Sequence, residues 1–293
     1  GKLAHIRERQ AAGVQENGRY AQRYLVRELA MAGFYGGALS RGALSAGVSA
    51  SADPCYRWLL AGRDALQHFD NINPASLAAG ETPLPTACLS AGDTPVGGTD
   101  LLVVRRVKDR ARYTIAADGR VSGEVPEAGT SYLQLAGMAG AASMALGGEI
   151  PSGEGPVQVW EYYPQILFIR SWSVTPGDGI PALCRKRLAV ASGSIGNTAC
   201  LVEGVENMQF QFALDTDADQ LPDRLAATLP PAAPGRPVLG RIYLMLRSVN
   251  RLPGQRLQSI FRLGEEHIAT AGDGQYRRLF QASSLLRNPQ VQP

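Results

Sequence analysis

The feature that most constrains the fold of this chain is a long amphipathic stretch at its start, from about Ala4 to Ala32. Apolar residues recur there at steps of three and four, which is the spacing of one helix face. They are Val14, Ala21, Leu25, Leu29 and Ala32. Charged residues occupy other positions: Arg7, Glu8, Arg9, Glu16, Arg19, Arg23 and Arg27. We therefore expect one long helix that ends near Gly33 and buries its apolar face in a core.

The length of this helix suggests that it belongs to a longer one. So long a helix is unusual at the start of a globular protein. Gly13 and Gly18 weaken the helix prediction locally, because each is less favourable than alanine in a helix by about 1 kcal/mol. The sequence begins Gly1-Lys2-Leu3 without a methionine. It contains no signal peptide and no stretch of about 20 apolar residues. We expect a preceding segment into which the helix continues.

The rest of the chain has the pattern of β-structure. Strand-like segments lie at Asp100–Val107, Arg112–Ile115, Val157–Trp172 (two strands interrupted at Pro164), Met208–Leu214, Arg241–Arg247 and Arg277–Leu286, the last of which could also be a short helix. Met208–Leu214 alternates as a half-buried strand does. Arg241–Arg247 is apolar throughout its middle, as expected of a central strand with both faces covered. Irregular connectors are predicted at 36–53, 147–156 and 228–237.

These elements predict an α+β fold, in which one long N-terminal helix packs on an antiparallel-rich sheet and a second small sheet is present. The 33 glycines and 19 prolines favour turns and short strands over a helical bundle. The net charge is only +3 and the basic residues are scattered, so the composition does not indicate a nucleic-acid-binding protein.

Four cysteines, Cys55, Cys88, Cys184 and Cys200, are expected to form disulfides. None forms a CxxC pair and no histidine lies near them in the sequence, which argues against a zinc site. An even count favours an oxidising compartment. Three pairings remain open, and Cys55–Cys88 with Cys184–Cys200 is preferred because each bond closes a local loop. The alternative is a cytosolic protein with four buried free thiols.

The sequence contains no recognisable catalytic motif. The three histidines, His5, His68 and His267, have no metal-binding spacing, and His267 is expected in a loop. A GxSxG elbow, a P-loop and a strand followed by GxGxxG are all absent, and 193–196 is expected to be a plain turn. The sequence therefore predicts that the protein is not an enzyme.

One acidic segment has the spacing of a calcium-binding loop. Its candidate ligands are Asp215, Asp217, Asp219 and Asp223, with the backbone carbonyl of Leu221. Alternate aspartates on a curled loop direct their oxygens to one point, and Ca²⁺ prefers about six to eight oxygen ligands. Gln220 replaces the usual glycine, and Ala226 stands where an EF-hand has its bidentate glutamate. The alternative is a solvated acidic turn after a strand.

Four segments, in matching order along the chain, resemble the PilW family of type IV pilus minor pilins. They are VQENGRYA at 14–21 with RELAMAGF at 27–34, LVEGVENMQFQF at 201–212 with the acidic segment after it, GRIYLMLRS at 240–248, and QYRRLF at 275–280 with LLRN at 285–288. The family is also similar to the J-type pseudopilins of type II secretion.

This resemblance implies a pilin-like ladle. Residues 1–36 would be the C-terminal half of a spine helix, and residues 37–293 a β-rich periplasmic head. The transmembrane half of the helix and the prepilin peptidase site do not occur in this sequence. The resemblance also implies an inner-membrane protein with its head in the periplasm before assembly, and a place at the pilus tip on the cell surface afterwards.

The implied function is structural: a minor pilin that helps to prime pilus assembly and belongs to a tip complex, with roles in twitching motility and cell adhesion. The implied partners are minor pilins of the PilV, PilX, FimU and PilE types, the major pilin and a PilY-type tip adhesin. Two other functions remain open: a J-type pseudopilin of type II secretion, and a secreted calcium-dependent adhesin or binding module.

Overall fold

The computed structural model describes residues 2–38, 42–44, 46–90, 92–137, 141–149, 156–229, 235–252, 254 and 258–288. The helices in these ranges are α1 (Lys2–Met31), α2 (Ala46–Ser49), α3 (Pro54–Ala61) and α4 (Pro74–Ala78), with short 3₁₀ turns at Thr86–Cys88 and Gly147–Glu149. No helix in the described ranges is long and apolar enough to cross a membrane.

Most of the described chain is β-structure. The strands are β1 (Ala43–Leu44), β2 (Leu66–Phe69), β3 (Leu101–Val104), β4 (Tyr113–Ile115), β5 (Val121–Gly123), β6 (Ser131–Ala136), β7 (Ala141–Leu146), β8 (Val157–Glu161), β9 (Gln165–Arg170), β10 (Ala182–Arg187), β11 (Ala199–Glu203), β12 (Val205–Asp215), β13 (Arg224–Ala226), β14 (Arg236–Arg247), β15 (Ile260–Leu263), β16 (Glu266–Ala269) and β17 (Arg277–Leu285).

The strands form four sheets. The six-stranded sheet has the order β1-β7-β6-β8-β4-β5, the five-stranded sheet β11-β10-β9-β3-β2, and the four-stranded sheet β13-β12-β14-β17, while β15 and β16 form a hairpin. Apart from the parallel pair β1–β7, the pairings recorded for the described strands are antiparallel. The predicted α+β class is confirmed, but the chain has more and larger sheets than the predicted main sheet and small second one.

Helix α1 packs on the four-stranded sheet along β14 and β17, and also touches β11. Its apolar stripe is buried as the spacing predicts, with Leu25 and Leu29 fully inaccessible. Gly33 has a positive φ of 74°, the left-handed conformation that commonly ends helices. Gly18 has a packing role, because a Cβ at this position would overlap the ring of Phe280 on β17.

The largest core lies between α1, one face of the four-stranded sheet and one face of the five-stranded sheet. Phe210 and Phe212 of β12 meet Leu167 and Leu183 of β9 and β10 in this core. The opposite face of the five-stranded sheet forms a second core with α3 and α4. The five-stranded sheet is therefore covered on both sides, which explains why all six residues of β9 are buried.

The end of α1 is held by Asn288, the last described residue of the chain. The Nδ2 atom of Asn288 donates to the carbonyl oxygens of Ala30 and Ala32, at 3.1 and 2.8 Å. These carbonyls belong to the helix end, where backbone acceptors have no partner within the helix. One amide side chain thus caps α1 from the residues that follow β17.

Several predicted elements differ from the structure. The strand predicted at Asp100–Val107 ends at Val104, and His267 lies in β16 rather than in a loop. The connector predicted at 228–237 is partly wrong, because β14 already begins at Arg236. Pro237 is accommodated there because it pairs with Leu214 beside a register shift. Residues 230–234, like 150–155 of the connector at 147–156, lie outside the described residues.

The prediction that Met208–Leu214 is half-buried is also wrong. Both faces of β12 are covered, and Gln209 and Gln211 are 3% and 8% exposed. Their polar atoms are satisfied within the protein: Gln209 Nε2 donates to the Gly98 carbonyl at 3.0 Å, and Gln211 Oε1 accepts from the Tyr243 hydroxyl at 2.8 Å. A strand with alternating polarity is therefore fully buried because each glutamine has a hydrogen-bond partner.

Candidate functional sites in the head and along the helix

The acidic loop connects β12 to β13 and is organised around Asp215. This residue is the last of β12 and is only 3% exposed. Its Oδ1 accepts from the amides of Asp217 and Ala218 at 3.2 and 2.7 Å, and its Oδ2 accepts from the Gln220 amide at 2.9 Å. One carboxylate therefore sets the curvature of the loop through three backbone donors.

The other aspartates are held by similar contacts. The Asp217 carboxylate accepts from the Asp219 amide, and the Asp219 carboxylate from the Leu221 amide, at 3.2 and 2.7 Å. Asp223 Oδ2 accepts from the amide and the hydroxyl of Thr216, each at 2.6 Å. Carboxylate oxygens of Asp215, Asp217 and Asp223 lie within 4.8 Å of one another. The loop thus brings together three of the four predicted acidic ligands, and Asp219 is not among the converging group.

The sharp turn of the loop forms without glycine. Gln220, at the position where calcium loops usually have glycine, has a φ of 70°, and Ala218 has a φ of 69°. Left-handed conformations cost residues with a Cβ roughly 1 kcal/mol or more. The convergence of the carboxylates therefore occurs despite local backbone strain, and oxygen donors in this arrangement suit a hard cation such as Ca²⁺.

The electrostatics of the loop differ between its ends. The Asp219 amide lowers the pKa of Asp217, but desolvation and the charges of Asp219, Asp223 and Asp215 raise this pKa overall. The pKa of Asp223 is lowered, because the Thr216 hydroxyl and amide donate to its carboxylate. The neighbouring negative charges around Asp217 are unfavourable, and a bound cation would relieve them.

Both disulfides have the pairing preferred from the sequence. Cys55, in the first turn of α3, is bonded to Cys88 of a 3₁₀ turn, and Cys184 of β10 is bonded to Cys200 of the neighbouring strand β11. Asp53 begins α3 by accepting from the amides of Cys55 and Tyr56 at 2.8 and 3.0 Å. Both bonds therefore lie in the second core, on the face of the five-stranded sheet that α3 and α4 cover.

A buried polar cluster anchors α1 to the five-stranded sheet. Glu28 is 2% exposed and makes a two-pronged ion pair with Arg106, at 2.8 and 2.9 Å. Gln165 Nε2 donates to the same carboxylate at 2.6 Å, and the Tyr24 hydroxyl donates to Gln165 Oε1 at 2.5 Å. Burial and the nearby Glu28 charge raise the pKa of Tyr24 to about 12, so its phenol stays neutral at physiological pH. These contacts fix the rotation of the helix as well as its position.

Beside this cluster, two arginines are held by tyrosines. Arg187 Nη1 donates to the Tyr163 hydroxyl at 2.7 Å, and Arg185 Nη1 donates to the Tyr163 and Tyr24 hydroxyls at 3.3 and 3.2 Å. The Arg106 guanidinium lies over the Tyr163 ring at 4.7 Å. Within the described residues, neither Arg185 nor Arg187 is within ion-pair distance of a carboxylate.

A polar cavity of about 350 Å³ lies near this region and is lined by Lys108, Arg110, Arg112, Glu124 and Glu161, with Ala111 and Gly123. Its charges are mostly compensated locally, since Lys108 pairs with Glu161 at 2.6 Å and Arg112 with Glu124 at 2.9 Å. The lining holds no histidine, cysteine or serine. This arrangement does not suggest a reaction.

His68 belongs to a buried structural network that the sequence did not reveal. Its Nε2 lies 2.8 Å from Asp100 Oδ2, and both side chains are inaccessible. Asp100 also accepts from the amides of Asn71 and Phe210, at 3.0 and 2.7 Å. Among the described residues nothing hydrogen-bonds to His68 Nδ1. The pair therefore connects the five-stranded sheet to β12.

Residues 168–288 match the family model of PilW, the type IV pilus-assembly protein W. The match confirms the resemblance of the three segments from residue 201 onward and supports a role related to type IV pilus assembly at the cell envelope. It includes the acidic loop and both strands of the Cys184–Cys200 bond. No curated protein and no solved structure matches the chain.

Proposed function

We propose that this chain is the head and lower spine of a minor pilin that helps to prime type IV pilus assembly, because residues 168–288 match the PilW family model. In this proposal residues 1–36 form the C-terminal half of a spine helix and residues 37–293 a periplasmic head. The protein acts by binding other subunits, and it has no catalytic role.

The observation that carries this proposal is the relation of α1 to the head. From Val14 onward the helix is buried along one face, whereas Leu3 is 60% exposed and the neighbouring residues Ala4 and His5 are exposed too. The first turn of α1 is therefore much more exposed than the stripe that begins at Val14. A helix that is buried along its second half and exposed in its first turn is suited to packing among the helices of other subunits.

Co-expression with the minor pilins encoded beside this gene tests the proposal. We expect a stoichiometric complex on size-exclusion chromatography, with a PilY-type adhesin as a further partner. An unrelated periplasmic protein with the same tag serves as the control. A chain that stays alone with each of these pilins, or that assembles only with subunits of type II secretion, would contradict the proposal.

We further propose that the acidic loop binds Ca²⁺ through Asp215, Asp217 and Asp223, with Asp219 and the Leu221 carbonyl as additional oxygen donors. The support is the convergence of three carboxylates and the raised pKa of Asp217. Bound Ca²⁺ would order the loop and present it to a partner. Because Ala226 stands where an EF-hand has its bidentate glutamate, we expect weak binding, with a Kd of about 10⁻⁴–10⁻³ M as in extracellular calcium sites.

Titration calorimetry with CaCl₂ measures this binding directly. We expect heat in the parent protein and none in Asp217→Ala, because this substitution removes a converging carboxylate. Asp118→Ala is a matched control, since Asp118 is an exposed aspartate outside the loop. An absence of heat in the parent, or equal heat in both variants, would refute the site.

A further inference from the structure

The two arginines of β10 that are held by tyrosines lie on one face of the five-stranded sheet. Arg185 and Arg187 are two residues apart in a strand, so their side chains point to the same side. Tyr24 of α1 reaches this face through its hydrogen bond with Arg185. Tyr20 is one helical turn from Tyr24 and 48% exposed. We define the arginine–tyrosine surface by Tyr20, Tyr24, Tyr163, Arg185 and Arg187.

This surface is prepared to receive an anion. Each guanidinium carries five N–H donors, and in both arginines Nη1 is the nitrogen that donates to a phenol. Those bonds fix the guanidiniums without pairing them with a carboxylate, because the acceptors are phenol hydroxyls. Arginine in a fixed orientation binds carboxylates through two parallel hydrogen bonds.

The composition of the surface is typical of a protein interface. Tyrosine and arginine are enriched at the positions that dominate binding energy. The surface also continues onto the helix proposed to meet other subunits, since Tyr20 and Tyr24 belong to α1. We propose, on the basis of the pilin function above, that the arginine–tyrosine surface binds an acidic helix of a different pilin subunit, through glutamates or aspartates one turn apart.

The charge of α1 argues against a second copy of this chain as the occupant. The exposed charged residues of the helix are mostly basic: Arg7, Arg9, Arg19, Arg23 and Arg27, against Glu8 and Glu16. A second α1 would bring these cations to a surface that is already positive, and like charges across an interface are unfavourable. A helix of opposite sign is the complementary partner.

Charge reversal at one position tests the proposal. The binding of the soluble head to each neighbouring minor pilin is measured by biolayer interferometry at low and high NaCl. We expect Arg187→Glu to raise Kd about tenfold or more, and Arg187→Lys to have a smaller effect because it keeps the charge and loses the planar fork. High salt should weaken the parent complex. Arg63→Glu, an exposed residue elsewhere on the head, is the matched control and should leave Kd unchanged.

Folding of each variant is checked by circular dichroism, and Arg185→Gln provides a second, milder change at the same surface. A partner glutamate changed to arginine should restore binding to Arg187→Glu. If Arg187→Glu and Arg63→Glu bind the partner with the same Kd, the proposed role of the arginine–tyrosine surface is wrong, although the pilin function is not affected. Self-association abolished by Arg187→Glu would overturn the choice of partner. A parent that binds none of these pilins would overturn both proposals.

Discussion

At the scale of single residues, the two glycines within α1 have opposite roles. Gly13 is exposed and a Cβ there would meet nothing within 4 Å, whereas a Cβ at Gly18 would overlap the Phe280 ring. The helix pattern treats both glycines only as a loss of propensity. The distinction depends on Phe280, which is far away in sequence and close in space.

Alanine substitutions at these glycines should therefore change stability in opposite directions. Gly13→Ala should raise the free energy of unfolding by about 0.5–1 kcal/mol, because alanine loses less backbone entropy in a helix. Gly18→Ala should lower it by about 1–3 kcal/mol, because the added methyl group displaces Phe280. Urea denaturation measures both. Equal stabilisation by the two changes would show that Phe280 does not restrict the helix.

The buried ion pair between Glu28 and Arg106 should also affect the free energy of unfolding. Glu28→Gln should cost about 3–5 kcal/mol, because Arg106 would remain buried without its counter-charge. Removing both charges with Glu28→Leu and Arg106→Met should cost less than either single change. Arg27→Ala breaks an exposed pair with Asp109, whose side chains are 60% and 63% exposed, and should have an effect below about 1 kcal/mol. Denaturant midpoints of the variants provide the comparison.

At the scale of elements, the Cys184–Cys200 bond joins neighbouring strands directly across their pairing. It closes a loop between residues 16 apart in sequence. Replacing both cysteines with alanine should therefore reduce the free energy of unfolding by roughly 3 kcal/mol, according to the chain-entropy model. Denaturation of the parent with and without reductant should show a change of similar direction. An unchanged midpoint in the double variant would contradict this stabilising role.

The start of β17 is held by an ion-pair network that should make stability depend on pH. Arg277 donates to Asp273 at 2.7 and 2.8 Å and to Glu206 of β12 at 2.7 and 2.9 Å. Hydrogen bonds from Arg277 hold the pKa of Asp273 well below its usual range. A carboxylate with a lowered folded-state pKa stabilises the protein above its unfolded pKa of about 3.9, and this stabilisation is lost as the pH falls toward the folded value.

Asp273→Asn should accordingly lower Tm at neutral pH, and the difference from the parent should shrink as the pH falls below about 4. Thermal melts between about pH 3 and pH 7 provide the measurement. Asp118→Asn is the control, because its pair with Arg120 is exposed on both sides and should contribute little at any pH. A gap that widens in acid would contradict the sign of this argument.

Sequence periodicity predicted the elements whose pattern is local. Helix α1, the pair β8–β9 around Pro164 and the central strand β14 all follow from spacing and composition. The six-stranded sheet was largely missed, because β6 and β7 lie in segments rich in alanine, glycine and serine without a clear alternation. Likewise, the polar residues Gln209 and Gln211 led us to predict an exposed face of β12. Their burial is explained by their hydrogen bonds with the Gly98 carbonyl and the Tyr243 hydroxyl, which the sequence does not reveal.

At the scale of the whole molecule, the acidic loop and the arginine–tyrosine surface differ in how visible they are in the sequence. The aspartates of the loop are close together in the chain, so their spacing alone suggested a shared ligand. Arg185 and Arg187 gain significance only when α1 and Tyr163 come beside β10. The run Arg185-Lys186-Arg187 indicates two basic residues on one face of a strand and one on the other face. In the structure, Lys186 pairs with Asp93 at 2.8 Å. The sequence could not indicate which of the two faces would keep positive charges without a carboxylate partner.

The Asn288 cap on α1 has a mechanical consequence. A force that pulls on the helix is transmitted to Asn288 through the two carbonyl groups that its amide binds. From Asn288 the force is transmitted to β17 and to its partner strand β14. The load is then shared by many backbone hydrogen bonds instead of being concentrated at the short connection after residue 31. Under tension, the first and the last described elements should therefore yield together.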